Sequence, residues 1–231
     1  MAAVLRHHGT WIFDLDNTLY PAECDLFAQI DQRMTSFVAD LLSTDRESAR
    51  ALQKQYYLGH GTTLKGLMVN HDMKPEAFLS FVHDIDHSSL PNDPRLRQAI
   101  GALPGQKYVF TNGSRSHAEN VTRQMGLQDA FDGMFGIEDA LYEPKPSRAA
   151  FDRFVGRFDV APTDSVFFED LTRNLAPAHA MGFKTVLVQS GKDWSHEPEG
   201  ARPAAATDTV PAHVHHVTDH LAEFLENVVD G

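Results

Sequence analysis

The chain reads as an α/β protein: a mostly parallel sheet core with a block of helices inserted after its first strand. Three observations carry that reading. From residue 94 onward short apolar runs alternate with amphipathic helical stretches, the order that builds a parallel sheet. Residues 21–89 show helical periodicity only. Four polar groups end or follow four apolar runs, and in a doubly wound sheet the carboxyl ends of strands are where ligands sit.

The elements follow in order. Trp11, Ile12 and Phe13 are too apolar to face water and form a short buried strand; Asp14 and Asp16 follow it, and Asn17-Thr18 is a turn. Pro21 opens a long helix in which Leu26, Phe27, Ile30, Met34, Phe37, Val38 and Leu41 make one apolar stripe. Thr44 and Glu47 have capping-box spacing for a second helix through residue 57. Gly59 and Gly61 punctuate a loop, Thr63 caps a helix over 64–69, and Pro75 takes a first helical position ahead of a helix over 77–84. The block 21–89 is therefore a helical cap lying over Asp14 and Asp16, and 1–20 with 90–231 form the core.

In the core, 96–103 is a helix and 106–110 a strand, followed by Thr111-Asn112-Gly113-Ser114. Ser116 and Glu119 have capping-box spacing for a helix that closes at Gly126. An extended segment over 131–137 and a rigid loop over 142–146 precede a helix over 148–157. The strand 165–168 ends in Glu169-Asp170; a helix over 174–181, Gly182 and a strand over 184–189 follow. The tail from Ser190 is loose, with an Ala/Pro/Thr-rich stretch at 201–209. It ends in an edge strand over 213–217 and a helix over 219–228 capped by Thr218. His213, His215, His216 and His220 alternate along that edge and are assigned no role.

Composition excludes some partners. At 42% apolar and 23% charged, the 231 residues are ordinary for a globular protein. A net charge of −12 argues against nucleic acid and anionic membrane as general partners. No run reaches transmembrane length, and the segment before Trp11 lacks a signal-peptide core. The single cysteine, Cys24, leaves no internal disulfide and fits a reducing compartment, so a cytoplasmic monomer or homodimer is expected.

If the strands are adjacent and parallel, Asp14/Asp16, Thr111/Asn112, Lys145 and Glu169/Asp170 converge on one sheet edge. Four acids around one lysine repel one another unless a cation joins them, and oxygen ligands suit Mg²⁺. Asp14 can then attack phosphorus, and Asp16 can protonate the leaving alcohol and later activate water. Thr111, Asn112 and the following amides can hold phosphoryl oxygens, and Lys145 offsets the charge that develops. Glu169 and Asp170 complete the metal site.

Asp14-x-Asp16-x-Thr18, Thr111-Asn112-Gly113, Lys145-Pro146 and Phe168-Glu169-Asp170, in that order, resemble the haloacid dehalogenase-like hydrolase superfamily. The run from Asp14 to Pro21, the stretch from Tyr56 to Leu67 and Phe168-Glu169-Asp170-x-x-x-Asn174-Leu175 look like its pyrimidine 5′-nucleotidase branch; Leu171-Thr172 departs from it where a small residue is expected. The resemblance implies a Rossmann-like core with a cap after the first strand. It also implies Mg²⁺-dependent removal of phosphate from nucleoside monophosphates such as UMP or CMP. It makes Asp14 the nucleophile, Asp16 the acid/base, Thr111 and Lys145 the phosphate ligands. Asp14, Asp170, the Asp16 carbonyl and Glu169, directly or at one remove, are then the metal ligands. A phosphatase or mutase acting on a sugar phosphate is the alternative; an interaction protein would be expected to have lost one of these groups. Tyr20, Tyr57, His60 and Thr63 are candidates to meet the leaving group, with packing of cap on core as the alternative for the tyrosines. Arg115 and Arg173 are the nearest other bases.

Overall fold

In a computed structural model, which describes residues 2–194, 197, 202–203 and 208–230, with side chains from residue 5 onward, six parallel strands form one sheet. They are β1 (Thr10–Phe13), β2 (Gln106–Phe110), β3 (Gly133–Phe135), β4 (Ser165–Glu169), β5 (Lys184–Val188) and β6 (His216–Thr218). Their order is β3-β2-β1-β4-β5-β6, so the chain leaves β1 on one side and returns on the other. β1 is therefore the point where the strand order reverses, and the crevice beyond its carboxyl end is where this topology places a ligand.

The α/β expectation holds, and the pleat explains it. Trp11 and Phe13 of β1 point to one face with Val166 and Phe168, where α5 (Pro94–Ala102), α6 (Arg115–Gln124) and α9 (Leu221–Asp230) cover them. Ile12 and Phe167 point to the other, under α7 (Arg148–Phe158) and α8 (Thr172–Met181). Every residue of β1 and β4 is buried, which is why these strands read as unbroken apolar runs.

Between β1 and α5 lie α1 (Leu26–Leu42), α2 (Arg46–His60), α3 (Thr63–His71) and α4 (Pro75–Val82). They share an apolar cluster of their own around Ile30, Val38, Leu67 and Phe78. Contacts that tie them to the core include Lys65 with Glu143 at 2.5 Å and the Gly61 carbonyl, which accepts from Arg173 Nη2 at 3.3 Å.

Several caps differ from expectation. Asp45, not Thr44, caps α2: its carboxylate accepts from the Glu47 and Ser48 amides at 3.0 and 2.9 Å, while the Thr44 amide closes the preceding turn onto Ala39. Thr62, not Thr63, caps α3 through the Lys65 amide at 3.1 Å. Ser114, not Ser116, caps α6 through the His117 amide at 3.1 Å. Thr218 accepts from the His220 amide, one turn ahead of the last helix. In α2 and α3 extended backbone one residue away from the expected cap, and in α6 two residues away, aims the competing oxygen at the free amides. A short 3-10 turn at Ala2–His7, not expected from the sequence, precedes β1. Most of the stretch 201–209 lies outside the described residues.

Candidate active site

β1 ends by placing the Asp14 amide on the Phe168 carbonyl at 2.9 Å, so the ladder carries one residue past the strand and aims Asp14 across the sheet edge. The neighbouring strands deliver their own polar ends there. Lys145, on the loop between β3 and α7, is 1% exposed, and its ammonium donates to Asp14 Oδ1 at 2.7 Å, Glu169 Oε2 at 2.7 Å and the Phe110 carbonyl at 2.8 Å. All three N–H groups are thus engaged, and a substrate oxygen must replace one partner to bind Lys145. The loop is held by a reciprocal pair: Asn112 Oδ1 accepts from the Lys145 amide at 2.7 Å and Asn112 Nδ2 donates to its carbonyl at 3.0 Å. The Asn112 side chain thus holds the Lys145 main chain from both ends of its amide, and Asn112 also lines the cavity at the sheet edge with one N–H left to donate. Thr111 Oγ1 accepts from the Gly113 amide at 2.9 Å, which leaves its own proton to donate.

Asp14, Glu169 and Asp170 bring carboxylate oxygens within 4.8 Å of one another, all of them buried. Burial, then Glu169, outweigh Lys145 and push the Asp14 carboxyl up to about 7. Burial, then Glu169 and Asp14, push Asp170 well above the usual carboxylate range. Burial works against the Lys145 charge, but Asp14 and Glu169 overcome it and the ammonium is held above its ordinary value. One ammonium among three buried acids leaves net negative charge, so the donor set fits a hard divalent cation.

Asp16 stands apart from that group. Its Oδ1 accepts from Tyr20 Oη at 2.6 Å and faces His117 Nε2 at 2.9 Å. Burial alone would raise it, but His117 and then Tyr20 hold the carboxyl below its usual range. The Asp16 carboxylate is therefore not one of the clustered acids.

A cavity of about 360 Å³ lies between the sheet edge and the inserted helices. Asp14, Asp16, Thr111, Asn112, Lys145, Glu169 and Asp170 all line it, together with Phe27, Ile30 and Met34 of α1 and Leu79 of α4. α1 and α2 add a polar group: Asp31 accepts from Arg50 at 2.6 Å and from Gln53 and Lys54 at 2.8 Å, and Glu197 pairs with Arg50 and Lys54. Tyr57 lines the cavity with the Arg173 guanidinium 4.1 Å from its ring centre, and Thr63 lines it while bonding the Gln53 carbonyl at 3.3 Å. Tyr20 and His60 do not line it. Tyr20 is 1% exposed with its hydroxyl on Asp16, and His60 sits at the end of α2 against Asn70, because each side chain found a nearer polar partner. Arg115 pairs with Asp139 outside the cavity. No sequence signal pointed to His117, Asp31 or Arg50, which lie among other polar residues within helices.

A family model described as haloacid dehalogenase-like hydrolase matches residues 10–182. The chain is 25% identical over 236 residues to phosphate metabolism protein 8 of Saccharomyces cerevisiae, covering 95% of this chain and 64% of that protein. It thus spans less than two thirds of that relative. Among solved structures it resembles CbbY of Rhodobacter sphaeroides in complex with phosphate, at a TM-score of 0.63 and 18% identity over 94% of this chain and 96% of that one. The magnesium-bound hydrolase YfnB of Bacillus subtilis matches at a TM-score of 0.59 and 14% identity over 96% and 99% of the two chains. These likenesses show the fold; the family model takes in every strand-end group described above, and on that match the chain belongs to the haloacid dehalogenase-like hydrolases.

Proposed function

We propose that this chain is a Mg²⁺-dependent phosphomonoester hydrolase working through an aspartyl-phosphate, and that its substrates are pyrimidine nucleoside 5′-monophosphates. The observation that carries the reading is Asp14, held by Lys145 at the reversal point of the sheet, with Asp16 two residues on and outside the acid cluster. Magnesium would be held by Asp14, Asp170, Glu169 and the Asp16 carbonyl, and would supply positive charge between the carboxylates and a phosphoryl group. Asp14 attacks phosphorus while the bond to the leaving oxygen breaks, and Asp16 gives that oxygen its proton. Water then attacks the aspartyl-phosphate, its proton passes to Asp16, and phosphate leaves with the Asp14 carboxylate restored. Thr111 donates to the phosphoryl oxygens and Lys145 exchanges a carboxylate partner for one of them. Residues 21–89 act as the cap, with Tyr57 and Thr63 facing the leaving group. The cavity volume suits a small ligand, its apolar wall suits a base, and the Asp31–Arg50–Lys54 group offers it polar partners.

The test is phosphate release, with and without Mg²⁺, from UMP, CMP, dTMP, AMP, GMP, sugar phosphates and phosphoglycolate. Metal-dependent release that favours UMP and CMP is the expected result. Release that favours sugar phosphates overturns the substrate assignment, and no release from any of them overturns the hydrolase reading.

Metal binding has a signature in stability. The Asp14 carboxyl stands at about 7 when folded against 3.8 unfolded, so the native state holds the extra proton between those values, and stability falls as pH rises through that window. The chelated protein is therefore expected to melt lower at pH 8 than at pH 5. Mg²⁺ at about a hundred times its Kd should add about 2.7 kcal/mol at pH 8, roughly 5–10 °C in Tm, and less at pH 5. A Tm indifferent to chelator and Mg²⁺ at both pH values would contradict the cation site.

A further inference from the structure

His117 is fully buried in the first turn of α6, and it is the one core side chain besides Tyr20 that reaches Asp16 among the described residues. A carboxylate only accepts, so Nε2 of His117 donates, and Nδ1 is left buried with no partner. Both neighbours of Asp16 land on one oxygen. Tyr20 and His117 take Oδ1, and among the described residues Oδ2 has no side-chain partner, while Asp16 lines the cavity.

The His117 ring is itself braced. His83, the residue that ends α4, lies parallel to it at 4.4 Å between ring centres and 7° between planes. Ser114 joins the two: its hydroxyl is 2.9 Å from His83 Nδ1 and accepts the His117 amide at 3.1 Å. Gly113 leaves room for the stack, because a Cβ there would stand 3.2 Å from His117 Cδ2 and 3.7 Å from His83 Nε2. His83 also opens the segment that returns from the inserted helices to α5. The bracing therefore crosses from the helical insert to the core.

We infer that His117 is a positioning residue for Asp16: with Tyr20 it fixes Oδ1, turns Oδ2 toward the leaving oxygen, and is held there by His83 from the helical insert. The inference rests on the reading of Asp16 as proton donor and acceptor. It follows that the proton is delivered in good geometry only while the insert holds its place over the sheet edge.

Leaving-group chemistry separates this role from simple packing. Breaking the bond to a ribose oxygen needs a proton; expelling p-nitrophenolate does not. Hydrolysis of the aspartyl-phosphate needs Asp16 as base for either substrate. His117→Ala is therefore expected to lower kcat/KM about 10²-fold for UMP, at the lower end of what general acid catalysis contributes; if UMP is not turned over, the alkyl phosphate turned over fastest in the panel above takes its place. For p-nitrophenyl phosphate kcat/KM should change less than about threefold, while kcat falls and a burst of one p-nitrophenol per enzyme appears. His117→Gln, which keeps an N–H donor, should recover part of the loss, and His83→Ala should show the same substrate split at smaller size. Should His117→Ala not fold, the Gln and His83 variants carry the same comparison. Equal losses on both substrates, or none on either, overturn the assignment and leave His117 a packing residue. If the wild type turns over neither substrate, the hydrolase reading itself falls, and this assignment with it.

Discussion

Asp14→Asn is expected to abolish turnover while leaving a folded protein. Loss of a nucleophile costs kcat on the order of 10⁴-fold or more, because no other group occupies its place at the reacting atom. Asp14 sits 2.7 Å from the Lys145 ammonium, and an asparagine carbonyl can keep that hydrogen bond. The substitution also removes one of the three acids that burial and mutual repulsion set against one another. In metal-free buffer at pH 8 the variant should therefore melt no lower than the wild type. Steady-state kinetics beside a thermal melt makes the check. A kcat within tenfold of the wild type would remove Asp14 from the nucleophile's role. A lost kcat with a collapsed Tm would show that the loss is one of folding.

Lys145→Met carries the largest expected effect on stability. The ammonium is the cation shared by Asp14 and Glu169, each at 2.7 Å, and it also satisfies the Phe110 carbonyl. Removing one partner of a buried ion pair costs about 3–5 kcal/mol, because the remaining charge stays buried without compensation. For a chain of this length that is a fall in Tm on the order of 10 °C. The sign of its pH dependence follows from Asp14, whose folded pKa is already raised. Without Lys145 it rises further, so at pH 5 the carboxyl is protonated and the variant relieved, and the deficit grows toward pH 8. Melting curves at the two pH values test this. An unchanged Tm at pH 8 would mean that the acids are not held by Lys145.

What was legible in the sequence was whatever depends on local pattern. Unbroken apolar runs marked β1 and β4, because parallel strands are buried on both faces. Polar residues at their ends announced the edge where Asp14, Lys145 and Glu169 now meet. Helix caps were legible to within a residue or two. Thr44 and Asp45, or Thr62 and Thr63, offer adjacent oxygens, and backbone conformation alone selects between them.

The rest depended on distance in the chain. Tyr20 and Asp16 are close enough in sequence to have been paired, yet the aromatic ring suggested substrate; only burial shows its hydroxyl facing the carboxylate. Asn112 reads as a phosphate ligand, and only the fold adds that its side-chain amide holds the Lys145 loop at both ends. His83 and His117 carry no motif, and nothing local relates a residue ending α4 to one beginning α6. The sequence by itself determined the fold class and which polar residues stand at the strand ends, since periodicity and residue type survive without coordinates. The tertiary structure alone decided which carboxylates cluster and which one stands apart. It also decided which histidine reaches Asp16, because those pairings follow from strand order and from the packing of α1–α4 over the sheet edge.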